Sequence, residues 1–248
     1  MPLLALHMTA ARAIASTVGS KRIEADTGAY YLGATTPDIR ALTKQPREHT
    51  HFFMLDDFGA QSGVHRLFEA QPQLREVGTL DASTAAFMAG YITHLVLDEE
   101  YICQVYRPCF GERSALADDK MANVMDRLLQ FDMDARERAD AEAVAEIRSA
   151  IEATAADVAV DFIAREDLRR WRALQIEMLE RPPDLKRMLS RHLLAAGRAD
   201  EEAMRRFHDE EAAPLLRATI ERLGEERIRE YIESARRKAE RAVREYLS

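Results

Sequence analysis

At 248 residues the chain suits one large domain or two small ones, and with 47% hydrophobic residues it can bury a substantial core. A net charge of −8, with no basic stripe free of acids, excludes a nucleic-acid surface as the main business, and two cysteines, Cys103 and Cys109, are too few for a disulfide framework. Ala, Leu, Glu and Arg dominate while Gly (10) and Pro (8) are scarce; these are strong helix formers, and the composition predicts an all-α, multi-helix protein.

The start, Met1-Pro2-Leu3-Leu4, has neither a basic region nor a long apolar one, so no signal peptide is expected. No stretch approaches the roughly 20 uncharged apolar residues of a membrane span. A soluble, cytoplasmic protein is the expectation.

Residues 3–18 read as a first helix, with His7 on its apolar side between Leu4 and Ala11, and Gly19 as its stop. A short helix follows from Asp26, a good N-cap, to Leu32. Gly33-Ala34-Thr35-Thr36-Pro37-Asp38 breaks it; Pro37 is expected to push Thr36 out of the helical region and leave Asp38 on a turn. Residues 39–61 read as a long irregular connection holding Glu48-His49-Thr50-His51-Phe52-Phe53, and such loops are often functional. A short helix over 62–71 precedes a long one capped by Asp81, which runs through an apolar, proline-free stretch from Ala82 to Val105 and closes at Arg107-Pro108-Cys109-Phe110-Gly111. From there the spacing predicts charged helices over 114–131, 134–165, 167–181, 183–197, 199–223 and 225–247, with breaks at Pro182-Pro183 and Gly197. Their charges read as a solvated face. No repeat or second domain is visible, so 1–248 reads as one helical domain, with 1–111 as the core of the site and 112–248 as a charged helical remainder.

The central helix carries the chemistry. His94 and Asp98 are four residues apart and so share a face, pointing from an apolar element. An imidazole and a carboxylate placed like this can bind one metal ion from two sides. His7, His49, His51 and His65 fall earlier in the chain, and Asp38 sits among them. Histidine and aspartate without cysteine is the ligand set of a catalytic zinc site, or a related Mn or Fe site, and not of a structural zinc finger. The ordinary alternatives are a core histidine for His7 and a turn cap for Asp38. Glu99 and Glu100 turn away from the Asp98 face and are expected in solvent, as is His65; Trp171 has no role assigned.

Four segments in order make the pattern specific: Leu6-His7-Met8-x-x-Ala11, then Tyr31-Leu32-Gly33-Ala34-x-x-Pro37-Asp38-Ile39, then Thr50-His51-Phe52, then Gly90-Tyr91-x-x-His94-x-x-x-Asp98. Over residues 1–106 this resembles the bacterial zinc-dependent phospholipase C family, whose relatives in fold and metal site are the single-strand-specific fungal nucleases. The resemblance implies an all-helical fold with His7, His51, His94 and Asp98 as metal ligands and Asp38 as a carboxylate at the metal, acting as ligand or base. That family also uses its mature N-terminal residue and further histidines after the helix pair. Here no histidine lies between His94 and His192, so one or two ions are expected, with at most one of His192 and His208 joining.

The resulting expectation is a metal-dependent hydrolase of a small phosphate ester, with zinc (or Mn or Fe) activating water, no stable nucleic-acid partner and no membrane span. The alternative is a non-catalytic helical interaction protein that retains a structural metal site.

Overall fold

The computed structural model describes residues 3–248 except 56, 60, 182, 183 and 199; the expected break at Pro182-Pro183 and the Met1-Pro2 start lie outside the described residues. The described residues form helices and connections, with no strand among them. The first half comprises α1 (Leu4–Val18), α2 (Lys21–Ala25), α3 (Thr27–Gly33), a 3-10 turn at Thr36–Ile39, α4 (Arg40–Thr43), α5 (Glu48–His51), α6 (Gly63–Ala70), α7 (Ala82–Tyr101) and α8 (Arg107–Cys109). The second comprises α9 (Ala122–Arg138), α10 (Ala141–Ala153), α11 (Arg165–Glu180), α12 (Leu185–Ala195), α13 (Glu201–Arg206), α14 (Ala212–Leu223) and α15 (Glu225–Leu247). The all-α expectation is met.

Local chemistry explains the ends. Gly19 takes the left-handed conformation (φ 58°) and returns its N–H to the Ala15 carbonyl, stopping α1. The Asp26 carboxylate accepts from the Ala29 N–H at 2.9 Å and starts α3. Asp81 does the same for α7, accepting from Thr84 N–H at 2.9 Å. Beyond Tyr101 the helix widens into a π turn over Ile102–Tyr106 before α8 ends it.

α7 is the axis of the molecule. It is buried on almost every side, because α3 crosses it, α15 lies along it and α1, α2 and α6 close the remaining faces. The crossing with α3 is made by glycines. A Cβ on Gly90 would lie 1.9 Å from the Tyr30 carbonyl oxygen, and one on Gly33 would lie 2.0 Å from the Phe87 carbonyl oxygen. The two backbones therefore touch with no side chain between them. Met8, Tyr30, Phe87, Ile147, Leu168 and Val243 belong to one apolar cluster, so both halves of the chain close around α7. Burying each large side chain of this kind is worth about 1.5–3 kcal/mol.

Five sequence expectations change. Residues 114–121 form turns; the helix begins at Ala122 and runs through residues 131–134 without a break. Asp134 supports that continuity from outside: its buried carboxylate accepts from the Ala5 N–H at 2.7 Å and from Arg138 Nε at 2.6 Å, so it caps α1 across 129 residues. The helix expected over 134–165 ends at Ala153. Thr154, Ala156, Val158 and Val160 are buried and their neighbours exposed, a period-two burial pattern interrupted in the backbone by left-handed Ala156 (φ 54°), and the Ala159 N–H is taken by Thr84 Oγ1 at 2.8 Å. Thr36 opens a 3-10 turn with Pro37 at its beginning, where the missing N–H is not needed. The connection over 39–61 is irregular but contains the single-turn helices α4 and α5. The segment over 199–223 is divided by a π turn at Phe207–Glu211.

Candidate metal centre

The five predicted residues arrive on four elements. His7 sits in the first turn of α1, between Leu4 and Met8 of one core cluster and Leu6 of another, so the helix is sandwiched and its imidazole is fully buried. Asp38 lies on the 3-10 turn; Thr36 Oγ1 holds this corner by donating to the Leu32 carbonyl at 2.6 Å. His51 ends α5, and the next residue, Phe52, is left-handed (φ 54°), a conformation that costs a non-glycine residue about 1–2 kcal/mol. That reversal turns the chain away immediately after the imidazole has been delivered. His94 and Asp98 stand one turn apart on α7.

The five converge. His7 Nε2 is 3.3 Å from Asp98 Oδ1. His51 Nε2 is 3.2 Å from Asp98 Oδ2, 3.3 Å from Asp38 Oδ1 and 3.4 Å from His94 Nε2. His94 Nε2 is 3.6 Å from Asp98 Oδ2. Two groups could hold a metal ion: His7, His94 and Asp98, all buried, and Asp38, His51 and His94, which reaches the surface through Asp38. Ligands about 2.0–2.1 Å from a tetrahedral ion stand about 3.3–3.4 Å apart, so these separations suit a metal of that geometry.

Hydrogen bonds set the tautomers. His94 Nδ1 meets the Ala34 carbonyl at 2.9 Å; a carbonyl can only accept, so Nδ1 carries the proton and Nε2 presents its lone pair inward. Thr50 Oγ1 donates to the Arg47 carbonyl at 3.4 Å and contacts His51 Nδ1 at 3.1 Å. The hydroxyl oxygen can thus accept from Nδ1–H, so that Nε2, which faces the Asp38 and Asp98 carboxylates, can give up its proton to a bound metal. His7 lies flat on His94, ring centres 3.9 Å apart and planes 10° apart, and neither of its nitrogens has a hydrogen-bond partner among the described residues. A buried polar atom left this way costs about 1–3 kcal/mol. A bound cation would relieve that cost, and the donor set fits one.

The charges are held apart from their ordinary values. Burial, and next the neighbouring His94, push the His7 imidazolium down, which keeps it neutral and able to ligate. Burial alone would raise the Asp98 carboxyl, but His94, His51 and His7 hold it well below the carboxylate range. Asp38 also ends below its ordinary value: burial opposes this, and the His51 hydrogen bond and His94 outweigh it. Its side chain is 37% exposed, whereas that of Asp98 is 3% exposed, which places Asp38 at the mouth of the centre.

One residue was missed from the sequence. Arg47 precedes His51 by four positions on the α5 turn, and its Nη2 donates to Asp98 Oδ2 at 2.9 Å from a side chain 10% exposed. The i, i+4 spacing was present, but it carries face information only inside a helix, and this stretch reads as a loop. The other histidines stay away. His49 is exposed, His65 pairs with Glu69 at the surface, and neither His192 nor His208 joins a metal-competent group among the described residues. Glu99 and Glu100 depart from expectation because α6 and α15 cover much of α7 there: half-buried Glu99 accepts from Gly63 N–H at 3.0 Å, and Glu100 is buried against Lys238 at 2.6 Å.

A cleft of about 220 Å³ leads to His7 and Asp38, with Arg40, Arg127, Trp171 and Met188 on its walls. The fold and centre together define an all-helical protein with a buried His/Asp cluster able to hold a metal ion. No protein-family model matches the chain, and neither a curated protein nor a solved structure is found similar to it. No helix among the described residues is long and apolar enough to cross a membrane.

Proposed function

We propose that this protein is a metal-dependent hydrolase of small phosphate esters, of the zinc-dependent phospholipase C type that its four-segment pattern resembles. The observation that carries the reading is that Asp38, which meets the oriented imidazole of His51 at 3.3 Å, also lines with His7 an open cleft that has two arginines in its walls. A divalent ion held there would lower the pKa of a water it binds and polarise a phosphoryl oxygen. Zinc is the preferred ion for this donor set, with Mn or Fe as alternatives.

The chain's own residues supply the rest. Arg40 and Arg127 offer guanidinium donors to a phosphate entering the cleft, a group they suit by charge and planar geometry. Asp38, anionic and partly exposed, faces both the centre and the cleft, where it can ligate or orient the attacking water. Its lowered pKa suits those roles better than storing a proton near neutrality. Trp171 and Met188 give an organic group of the ester an apolar wall. Among the described residues the exposed large hydrophobic side chain is Leu194, which leaves no apolar patch for seizing a lipid surface and favours a soluble substrate.

A closed, purely structural site would not need Asp38 at a cleft mouth, and this favours catalysis over the non-catalytic alternative. The test begins with elemental analysis of the purified protein. Hydrolysis of bis-p-nitrophenyl phosphate and p-nitrophenyl phosphate is then followed with and without added Zn, Mn or Fe. We expect bound metal, and turnover that Asp38→Asn abolishes while metal is retained. Metal-free protein that takes up no ion would end the reading; tightly held metal without turnover of either ester class would return it to the structural alternative.

A further inference from the structure

The strongest unexplained group is Arg47. Its guanidinium is nine-tenths buried, and beyond the Asp98 contact its Nε and Nη1 have no hydrogen-bond partner among the described residues. A buried cation is expensive unless paired, and among the described residues its ion pair is with a carboxylate of the centre itself. We infer that Arg47 is a built-in cation occupying the charge position of a second metal at Asp98, so that the centre takes a single divalent ion. This rests on the reading of the cluster as a metal site.

Two observations independent of each other support it. The first is charge. Asp38 and Asp98 bring two negative charges and Arg47 one positive, so with ligating imidazoles neutral the frame carries one net negative charge. One divalent ion converts this to a single positive charge, which an anionic ester can neutralise. Two ions would leave three positive charges in a pocket whose walls are buried, a heavy electrostatic cost at low dielectric. The second is ligand supply. Both metal-competent groups require His94, and His94 has one inward lone pair because Nδ1 is committed to the Ala34 carbonyl. One lone pair serves one ion, so the two groups cannot both be filled through it. Arg47 also occupies Asp98 Oδ2, one of the two oxygens by which that carboxylate would bridge a pair of metals.

The experiment is metal stoichiometry. Chelator-stripped protein is dialysed against excess Zn²⁺ and, separately, Co²⁺, and metal per chain is read by mass spectrometry of the digested sample. The wild type should saturate at one ion. Arg47→Gln, which removes the charge, should admit a second, while Arg47→Lys, which keeps it, should remain at one. Arg47→Met serves as a second neutral variant, refolded in excess metal if the stripped form does not fold. Two ions in the wild type would overturn the inference and leave the hydrolase reading standing; so would one ion in a folded neutral variant. No ion in the wild type would overturn both. The wild-type ratio decides even if neither neutral variant can be refolded: one keeps the inference and two ends it.

Discussion

Gly90→Ala puts the helix crossing under direct test. The new Cβ would sit 1.9 Å from the Tyr30 carbonyl oxygen and 2.8 Å from the Ala34 nitrogen, where ordinary contact begins near 3.4 Å. Both obstacles are backbone, so no rotamer change relieves them; α3 must retreat from α7 by more than an ångström. Overpacking of this kind costs about 1–3 kcal/mol and occasionally more, and rigid backbone on both sides argues for the upper end. Against it stands the helix propensity gained when alanine replaces glycine, up to about 1 kcal/mol. A net loss of about 2 kcal/mol or more follows. The same retreat carries Ala34 away from His94 Nδ1, now 2.9 Å apart, and frees the imidazole that ties the centre together. Urea unfolding of the metal-free variant should therefore show a lowered midpoint, and zinc titration should show weakened binding. A variant as stable as the wild type or more so, with unchanged zinc affinity, would mean that propensity governs and that the α3–α7 contact does not position the site.

Replacing His94 by alanine removes the one ligand common to both groups, so metal affinity should fall by at least about 10–100-fold; unchanged metal content after dialysis would reduce His94 to packing. Asp134→Ala strips the Ala5 N–H of its acceptor and leaves the largely covered Arg138 without its carboxylate, an expected loss of about 3 kcal/mol, with Asp134→Asn losing less because it keeps an acceptor. A shift below about 1 kcal/mol in urea midpoints would show that the α1 terminus is satisfied in another way. Acid should weaken the metal-free protein in stages. His7 is held below its ordinary 6.5, so the unfolded chain takes up that proton first, and the stability present above pH 6.5 declines as pH falls below it. The depressed carboxyls of Asp38 and Asp98 add a second loss below their ordinary 3.8. Equal unfolding midpoints at pH 7.5 and pH 5, or a decline that His7→Gln leaves undiminished, would refute the first stage.

What the sequence determined by itself is what one or two helical turns can encode. The all-α class, the Asp26 and Asp81 caps, the stop at Gly19 and the shared face of His94 and Asp98 follow from propensity, side-chain capping and a 3.6-residue period, none of which needs a distant partner. His7, Asp38 and His51 were legible as candidates because their residue types and spacing matched a pattern, and their meeting at Asp98 came from packing. The tertiary structure decided the remainder. Arg47 entered the centre because α5 is a helix only where it rests beside the Asp38 turn and α7, and an isolated four-residue helix has too few hydrogen bonds to form alone. Glu100 went inside because α15 covers the end of α7 and brings Lys238 with it. Residues 154–160 stayed non-helical because Thr84 claims a backbone N–H that a helix would have kept, although their alternating burial could have been anticipated from Val158 and Val160. In each case the deciding energy is desolvation or a hydrogen bond between residues far apart in the chain, and local sequence rules hold no information about which distant group will be there to supply it.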